Sequence, residues 1–188
     1  MKAIQFTIIF ILLFGTVSPQ VVVHGYCITL NNDTLRGNLK LASYFNKINW
    51  EKIQRKIKYI DSVTKKEAKF KPADINGYCF YWKNDLYCYK SLFANTSHVI
   101  FSRQIASGKR ASLFYSITTG YKGSQTSFYY IQKNNGGTLN ITSATKKGVK
   151  ELLLNLFSAD SAARDAINAF SFARKSSLKT LVDAINDQ

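Results

Sequence analysis

The sequence predicts an α+β fold: an antiparallel β-sheet of about eight strands, forming a sandwich or partly open barrel, followed by two or three short C-terminal helices packed on it. Between residues 26 and 142, short runs rich in aromatic and β-branched residues alternate with turn signals. From about residue 146 the apolar residues instead recur every three or four positions, as in amphipathic helices. The 188 residues are 46% hydrophobic, which suits a single β-rich domain over residues 25–188.

The beginning of the chain has the pattern of an export signal. Lys2 supplies a positive charge, and the following apolar run, Ile4–Gly15, is twelve residues long. This is the length of a signal-peptide core and is shorter than the ~20 apolar residues of a membrane span. We therefore predict a signal peptide over residues 1–24, with cleavage between about residues 15 and 25. The mature chain is expected to have no transmembrane helix and to be periplasmic, outer-membrane-associated or extracellular.

The first two strands are predicted to form a hairpin. Tyr26–Leu30 and Thr34–Leu41 both alternate between apolar and other residues, and the polar residues Asn31–Asp33 form the turn between them. The apolar positions expected on the buried face are Tyr26, Ile28 and Leu30 in the first strand, and Leu35, Leu39 and Leu41 in the second.

An aromatic hairpin, Phe70–Tyr89, is expected at the centre of the sheet. Tyr78–Trp82 and Leu86–Tyr89 are aromatic-rich, β-prone runs, and Lys83–Asp85 reverses the chain between them. Aromatic side chains have large apolar surfaces, so they would coat both faces of this hairpin. At least one of these faces needs a cover.

Three cysteines allow at most one disulfide within the chain. Cys79 and Cys88 are the candidate pair, and the register of the aromatic hairpin decides whether they bond. A loop at Trp82–Asp85 places them opposite each other, whereas a two-residue turn at Asn84–Asp85 displaces Cys79 by two positions. The other interpretation, which we favour, is that the cysteines are buried free thiols that act as small hydrophobic residues.

Three segments of the chain resemble sequences of a known group of proteins. Gly25–Gly37 (GYCITLNNDTLRG) is similar to the opening of uncharacterised exported β-rich proteins of Bacteroidetes, with the pattern G-Y-x-x-T, a turn, and D-T-L-x-G. Phe70–Tyr78 (FKPADINGY) resembles their second phrase, F-x-P-x-D-I-x-G-Y, and Leu152–Asn186 resembles their helical ending. The chain departs from the pattern at Asn32, where glycine is usual, and in its cysteines. The resemblance implies a cell-envelope or extracellular setting and no known activity.

The remaining strands follow from alternation and turn residues. Tyr44–Ile60 fits both a helical and a strand period, and we predict a helix or loop to about Glu51 followed by a strand near Lys56–Asp61. A turn at Lys65–Glu67 leads into the next strand. The later predicted strands are Ala68–Lys71, His98–Ile105, Ala111–Thr118, Thr126–Lys133 and Thr138–Thr142.

Three segments with helical periodicity follow these strands, and each predicted helix is too short to be stable alone. The second is capped by Asp160 or Ser161, and the third by Ser176 or Ser177. The residues expected to face the core are Val149, Leu152, Leu153, Leu156 and Phe157, then Ala163, Ala166, Ile167 and Phe170, and finally Leu178, Leu181, Val182 and Ile185.

The chain is strongly basic, with 26 Lys and Arg against 11 Asp and Glu. Eleven of these cations and three acids lie within Arg36–Lys71. Basic domains favour anionic partners, and export argues against nucleic acid. We therefore expect an anionic glycan, lipid or protein of the cell envelope as partner, unless the lysines simply keep an edge strand from aggregating. The candidate polyanion-binding residues are Arg55, Lys56, Lys58, Lys65, Lys66 and Lys69.

The sequence has no recognisable catalytic, cofactor or metal motif, and we predict a non-catalytic protein with no cofactor. The alternative is a small envelope hydrolase. It would depend on His98, which begins a predicted strand, or on a pair of turn aspartates. The aspartates available are Asp33, Asp74 and Asp85.

Overall fold

The computed structural model describes residues 20–95, 98–134, 136–142, 145–171 and 177–188. Most of the predicted signal peptide, residues 1–19, lies outside the described residues. Its last five residues, Gln20 to His24, form the start of the first strand and pair with the second strand. Within the described ranges, no helix has both the length and the apolar character needed to cross a membrane.

The strands form a single antiparallel sheet. They are β1 (Gln20–Thr29), β2 (Thr34–Tyr44), β3 (Lys47–Ile48), β4 (Ile57–Asp61), β5 (Glu67–Phe70), β6 (Ile75–Trp82), β7 (Asp85–Asn95), β8 (His98–Ser107), β9 (Ala111–Thr119), β10 (Gln125–Lys133) and β11 (Gly136–Asn140). Their order is β11-β10-β9-β8-β7-β6-β1-β2-β4-β5, and β3 pairs with β2.

This architecture confirms an antiparallel β-rich fold but corrects two details. The described residues form eleven strands, not about eight, and the sheet is not closed into a barrel. Almost every strand pairs with its neighbour in the chain, so the sheet grows sideways and ends at two edges, β5 and β11. β3 has two residues, too few to show a period, and it lies where we predicted a helix or loop.

Three helices follow the sheet, as the change of period predicted. They are α1 (Lys146–Leu156), α2 (Ser161–Ala169) and α3 (Leu178–Asn186). Thr145 and Asp160 cap α1 and α2 by accepting hydrogen bonds from the backbone N–H groups of Gly148 (3.2 Å) and Ala163 (3.1 Å). All four apolar residues predicted to face inward from α3 are buried, whereas Leu152 of α1 is exposed.

One face of the sheet, here called the inner face, carries the two large hydrophobic clusters. The three helices cover it over β8 to β11, and residues 45–56, here called the cover segment, lie over the half that contains β1, β2 and β4. Ile48 and Ile53 of the cover segment are buried in this second cluster. The inner-face residues include Val23, Cys27, Leu39, Tyr59, Tyr78, Phe80, Phe101, Leu113 and Ile131.

β1 buries the face opposite to the one we predicted. Cys27 is fully buried, whereas Tyr26 and Ile28 are half-buried on the other face and Leu30 is exposed in the turn. The reason is the neighbouring strand, since Gly25 and Cys27 lie opposite Phe80 and Tyr78 of β6. A side chain at Gly25 would clash with the backbone oxygen of Cys79, and Cys27 is a small residue beside the Tyr78 ring. The alternation of β1 taken alone does not show this requirement.

The aromatic hairpin lies at the centre of the sheet, as expected. Tyr78 stacks on Tyr89 with ring centres 5.0 Å apart and meets the edge of Phe101 at 4.9 Å. Its buried hydroxyl donates to the backbone oxygen of Ile53 (2.8 Å). Tyr78 therefore joins the sheet to the cover segment through both ring packing and a buried hydrogen bond.

The cysteines contradict the interpretation that we favoured for two of them. Lys83 and Asn84, both with positive φ, form a two-residue turn, and this register places Cys79 opposite Cys88. The two are joined by a disulfide, with Cα atoms 4.1 Å apart. Cys27 is a buried free thiol, and burial raises its pKa to about 12.

We predict that the native protein does not react with a thiol reagent at pH 8, because Cys27 is both inaccessible and protonated. In denaturant without reductant, one thiol per chain should react, and after reduction all three cysteines should. Titration with a chromogenic disulfide reagent gives these counts. Three reactive thiols in the unreduced, unfolded chain would show that the Cys79–Cys88 bond is absent.

The last residue of α3 attaches the helices to the sheet. The side-chain oxygen of Asn186 accepts hydrogen bonds from the backbone N–H groups of Arg110 (2.9 Å) and Ala111 (3.0 Å), and its nitrogen donates to the Ala111 oxygen (3.0 Å). Arg110 also pairs with Asp160 at 2.6 Å. The turn between β8 and β9 is thus bound to both α2 and α3.

Asn186→Ala should lower the free energy of unfolding by about 2–3 kcal/mol, since it leaves the two part-buried backbone N–H groups of Arg110 and Ala111 without partners. Urea denaturation measures this change. The matched control is Asn155→Ala on the exposed side of α1, for which the change should stay within about 0.5 kcal/mol. Equal effects of the two substitutions would contradict the proposed attachment.

Candidate functional site

The opposite face of β1, β2, β4 and β5, here called the outer face, carries a row of lysines. Lys40 of β2 pairs in register with Lys58 of β4, and Lys58 pairs with Lys69 of β5. The three side chains therefore lie side by side across neighbouring strands on one face. Like charges placed directly opposite each other destabilise a sheet, so this row is unfavourable without a counter-charge.

A groove of about 430 Å³ lies along this row, here called the basic groove. The cationic side chains that line it are Lys40, Lys52, Arg55, Lys56, Lys58 and Lys69. Two carboxylates offset part of this charge: Glu67 pairs with Lys40, and Glu51 pairs with Arg55 at 2.6 Å. Six cations against two carboxylates leave the groove strongly positive.

The two acids are held in their charged form. The hydrogen bond from Lys40 is the main cause that lowers the pKa of Glu67, and the charge of Lys58 acts in the same direction. The pKa of Glu51 is lowered first by a hydrogen bond from Thr119 and then by Arg55. Both carboxylates are therefore ionised at neutral pH, and each continues to offset one positive charge of the groove.

The structure brings together four of the six residues predicted to bind a polyanion. Arg55, Lys56, Lys58 and Lys69 line the basic groove. Lys65 and Lys66 instead lie in the turn between β4 and β5, at the other end of β4.

Lys65 contributes to a different region of the outer face. Its ammonium group donates to the Ser62 oxygen (2.7 Å), and its side chain lines a wider groove of about 760 Å³ together with His24, Arg36 and Tyr81. This second groove is also positively charged. The predicted basic set thus divides between two parts of one face.

Lys40 and Lys52 were not among the predicted binding residues. Lys40 lies on the polar side of an alternating strand, so the sequence indicated its exposure but not its neighbours. Its place beside Lys58 depends on the pairing of β2 with β4, which are separated by the cover segment. Cross-strand register is the information that the local pattern lacks.

An exposed aromatic tip extends from β2 beyond the basic groove. Ala42 lines the groove, and Tyr44, two residues further on the same face, is 66% exposed. Phe45 follows at the turn into β3; it is 80% exposed and has a φ of 46°. Positive φ is unusual for a bulky side chain, and here it projects an apolar ring outward. The two rings contact each other, with centres 4.4 Å apart.

The aspartates of the hydrolase alternative do not all lie together, since Asp33 and Asp74 are at one end of β6 and Asp85 is at the other. Asp74 and Asp85 lie beyond opposite ends of β6, and Asp33 lies in the turn between β1 and β2. The Asp74 carboxylate accepts a hydrogen bond from the backbone N–H of Lys71 (2.7 Å), which is a turn-stabilising role. His98 begins β8 as predicted, but its side chain lies outside the described part of the structure.

Among the described residues, no group of three or more His, Cys, Asp and Glu side chains could hold a metal ion. Comparisons with protein-family models, curated protein sequences and solved structures give no match to this chain. The geometry of the site is therefore the basis for the functional proposal.

Proposed function

We propose that the protein is an exported, non-catalytic module that binds an anionic component of the cell envelope through the basic groove. The observation that carries this proposal is the row of Lys40, Lys58 and Lys69 across three neighbouring strands. A polyanion laid across the row would supply the counter-charge that the fold provides only in part. A glycan, a lipid surface and an acidic protein all have this chemistry.

The groove suits binding by charge more than by shape. Its lysines are exposed or half-buried, and lysine is a flexible point charge that does not impose one ligand geometry. Such contacts are screened within about 8 Å at physiological ionic strength, so binding should weaken as salt is added. Repeating phosphate or carboxylate groups would engage several lysines at once.

The charge reversals Lys56→Glu, Lys58→Glu and Lys69→Glu, made together, should reduce binding to heparin or to anionic vesicles at least about tenfold at low salt, since each basic residue near an anionic surface contributes about 1 kcal/mol. The matched control reverses Lys147, Arg164 and Lys179, which are exposed near the helix N-termini. Acidic residues are favourable there, so this variant should fold normally.

Both variants change the net charge by the same amount, so a general charge effect would weaken binding equally and would contradict a local site. Lys65→Glu with Lys66→Glu should cost less than the groove variant, because both residues lie outside the basic groove. Elution salt on a heparin column and vesicle co-sedimentation provide the two measurements.

A substitution in the aromatic tip distinguishes a lipid surface from a soluble polyanion as the binding partner. Tyr44 and Phe45 lie next to the groove, where exposed rings beside basic residues can enter the headgroup region of a membrane. Phe45→Asn keeps a residue that tolerates positive φ but removes the apolar ring. For a lipid target, we expect several-fold weaker binding to vesicles of phosphatidylglycerol and unchanged binding to heparin. Equal vesicle binding by Phe45→Asn and the parent protein would exclude ring insertion.

A further inference from the structure

A further pocket, distinct from the two grooves of the outer face, lies on the inner face between the half covered by the helices and the half covered by the cover segment. It has a volume of about 270 Å³ and is here called the seam cavity. Its lining includes Trp50, Gln54, Tyr89, Arg103, Tyr115 and Gln125. The basic groove shares no lining residue with it, so the two sites are separate.

Arg103 is the charged residue of this cavity. Its guanidinium carbon lies 4.2 Å from the centre of the Tyr87 ring, and Tyr87 in turn stacks on Trp50 at 5.2 Å. Among the described residues, no carboxylate lies within ion-pair distance of Arg103. A half-buried arginine without an acidic partner is costly, and its planar group is suited to a bidentate carboxylate ligand.

Tyr89 provides a second, independent observation. Its side chain is 4% exposed and lines the cavity, and within the described part of the chain its hydroxyl makes no hydrogen bond to another residue and is not among the fully buried polar atoms. The hydroxyl therefore opens into the cavity, where a water molecule or a ligand can be its partner. Burial also raises the pKa of Tyr89, with the charge of Arg103 acting in the opposite direction, so the hydroxyl is a neutral donor at physiological pH.

The walls of the cavity are fixed in place before any ligand binds. The Gln54 amide nitrogen donates to the Trp50 oxygen (2.7 Å), and the Gln54 oxygen accepts from the backbone N–H of Ile117 (3.1 Å). On the other side, the Tyr115 hydroxyl lies 3.2 Å from that of Ser127. Preformed walls lower the entropic cost of ligand binding.

We propose that the seam cavity binds a small organic carboxylate with a ring-shaped body. The carboxylate pairs with Arg103, the ring packs against the aromatic walls, and the Tyr89 hydroxyl donates a hydrogen bond. The volume is below the usual range for drug-sized ligands, which limits the ligand to about the size of one sugar or one aromatic ring. Uronic acids and aromatic acids share this chemistry.

Isothermal titration of the full chain tests the proposal with two pairs of compounds. Glucuronate is compared with its neutral analogue glucuronamide, and phenylacetate with phenylacetamide. At least one acid should bind, and its amide should bind at least about tenfold more weakly. Preference for glucuronate identifies a sugar acid, and preference for phenylacetate identifies an aromatic acid. Absence of binding by both acids at ~10 mM would overturn the proposal.

Two variants test the assigned contacts. Arg103→Gln should weaken binding of the acid at least about tenfold, and Tyr89→Phe, which retains the ring, should weaken it about three- to tenfold. Arg164→Gln on the exposed side of α2 is the control and should bind normally. If Arg103→Gln does not fold, as judged by thermal unfolding, Arg103→Lys retains the charge without the bidentate geometry and should still bind more weakly.

Unchanged affinity in a folded Arg103 variant would contradict the proposal. Equal binding of inorganic phosphate would also contradict it, because phosphate has no ring to fill the aromatic walls. The variant with Lys56, Lys58 and Lys69 reversed should still bind the acid, since none of these residues lines the seam cavity. The seam-cavity proposal therefore does not depend on the basic-groove proposal, and each can fail without the other.

Discussion

The need to cover the inner face of a wide sheet determines most of this structure. The two apolar clusters of the inner face extend from β4 and β5 at one end of the sheet to β10 and β11 at the other. Helices of nine to eleven residues are only about 14–16 Å long and about 10 Å wide. The three helices pack against the β8 to β11 half, so the cover segment has to bury the other half.

This requirement explains why the central aromatic residues are where they are. Tyr78 lies below the cover segment, and its hydroxyl satisfies the Ile53 backbone oxygen, which would otherwise be buried without a partner. Its ring needs a small neighbour in the adjacent strand, and Cys27 meets that need. The buried thiol of β1 and the aromatic hairpin are thus two parts of one packing solution.

The features that depend on the local periodicity of apolar residues were predicted from the sequence. The features that depend on the register between paired strands were not. Alternation located most of the strands, and the spacing of Leu178, Leu181 and Val182 predicted a buried helix face correctly. The inward face of β1 was predicted wrongly, because Tyr26 and Ile28 are larger than Cys27 but β6 selects the smaller residue. The two-residue strand β3 and the pairing of Cys79 with Cys88 also depend on the register between strands, which the local sequence does not show.

The two candidate sites also differ in how far they could be predicted from the sequence. A basic excess was visible from composition, and four of its predicted residues do lie together, because Arg55–Lys58 and Lys69 are close in the chain or paired across one turn. Lys40 joins them only through the pairing of β2 with β4. The seam cavity had no sequence signal, since Trp50, Arg103 and Tyr115 come from three distant parts of the chain.

The basic groove and the seam cavity also differ in the way they would hold a ligand, although both are positively charged. In the basic groove several exposed lysines act on a ligand through water, where charge interactions are weak singly and are reduced by salt. Arg103 lies half-buried among aromatic rings, where the lower dielectric strengthens a single ion pair and the rings restrict the ligand's shape. The outer face is therefore suited to extended polyanions, and the inner face to one small acid. An eleven-stranded sheet with two incomplete covers provides both, because its outer face is open over β2, β4 and β5 and its inner face has a gap where the two covers meet.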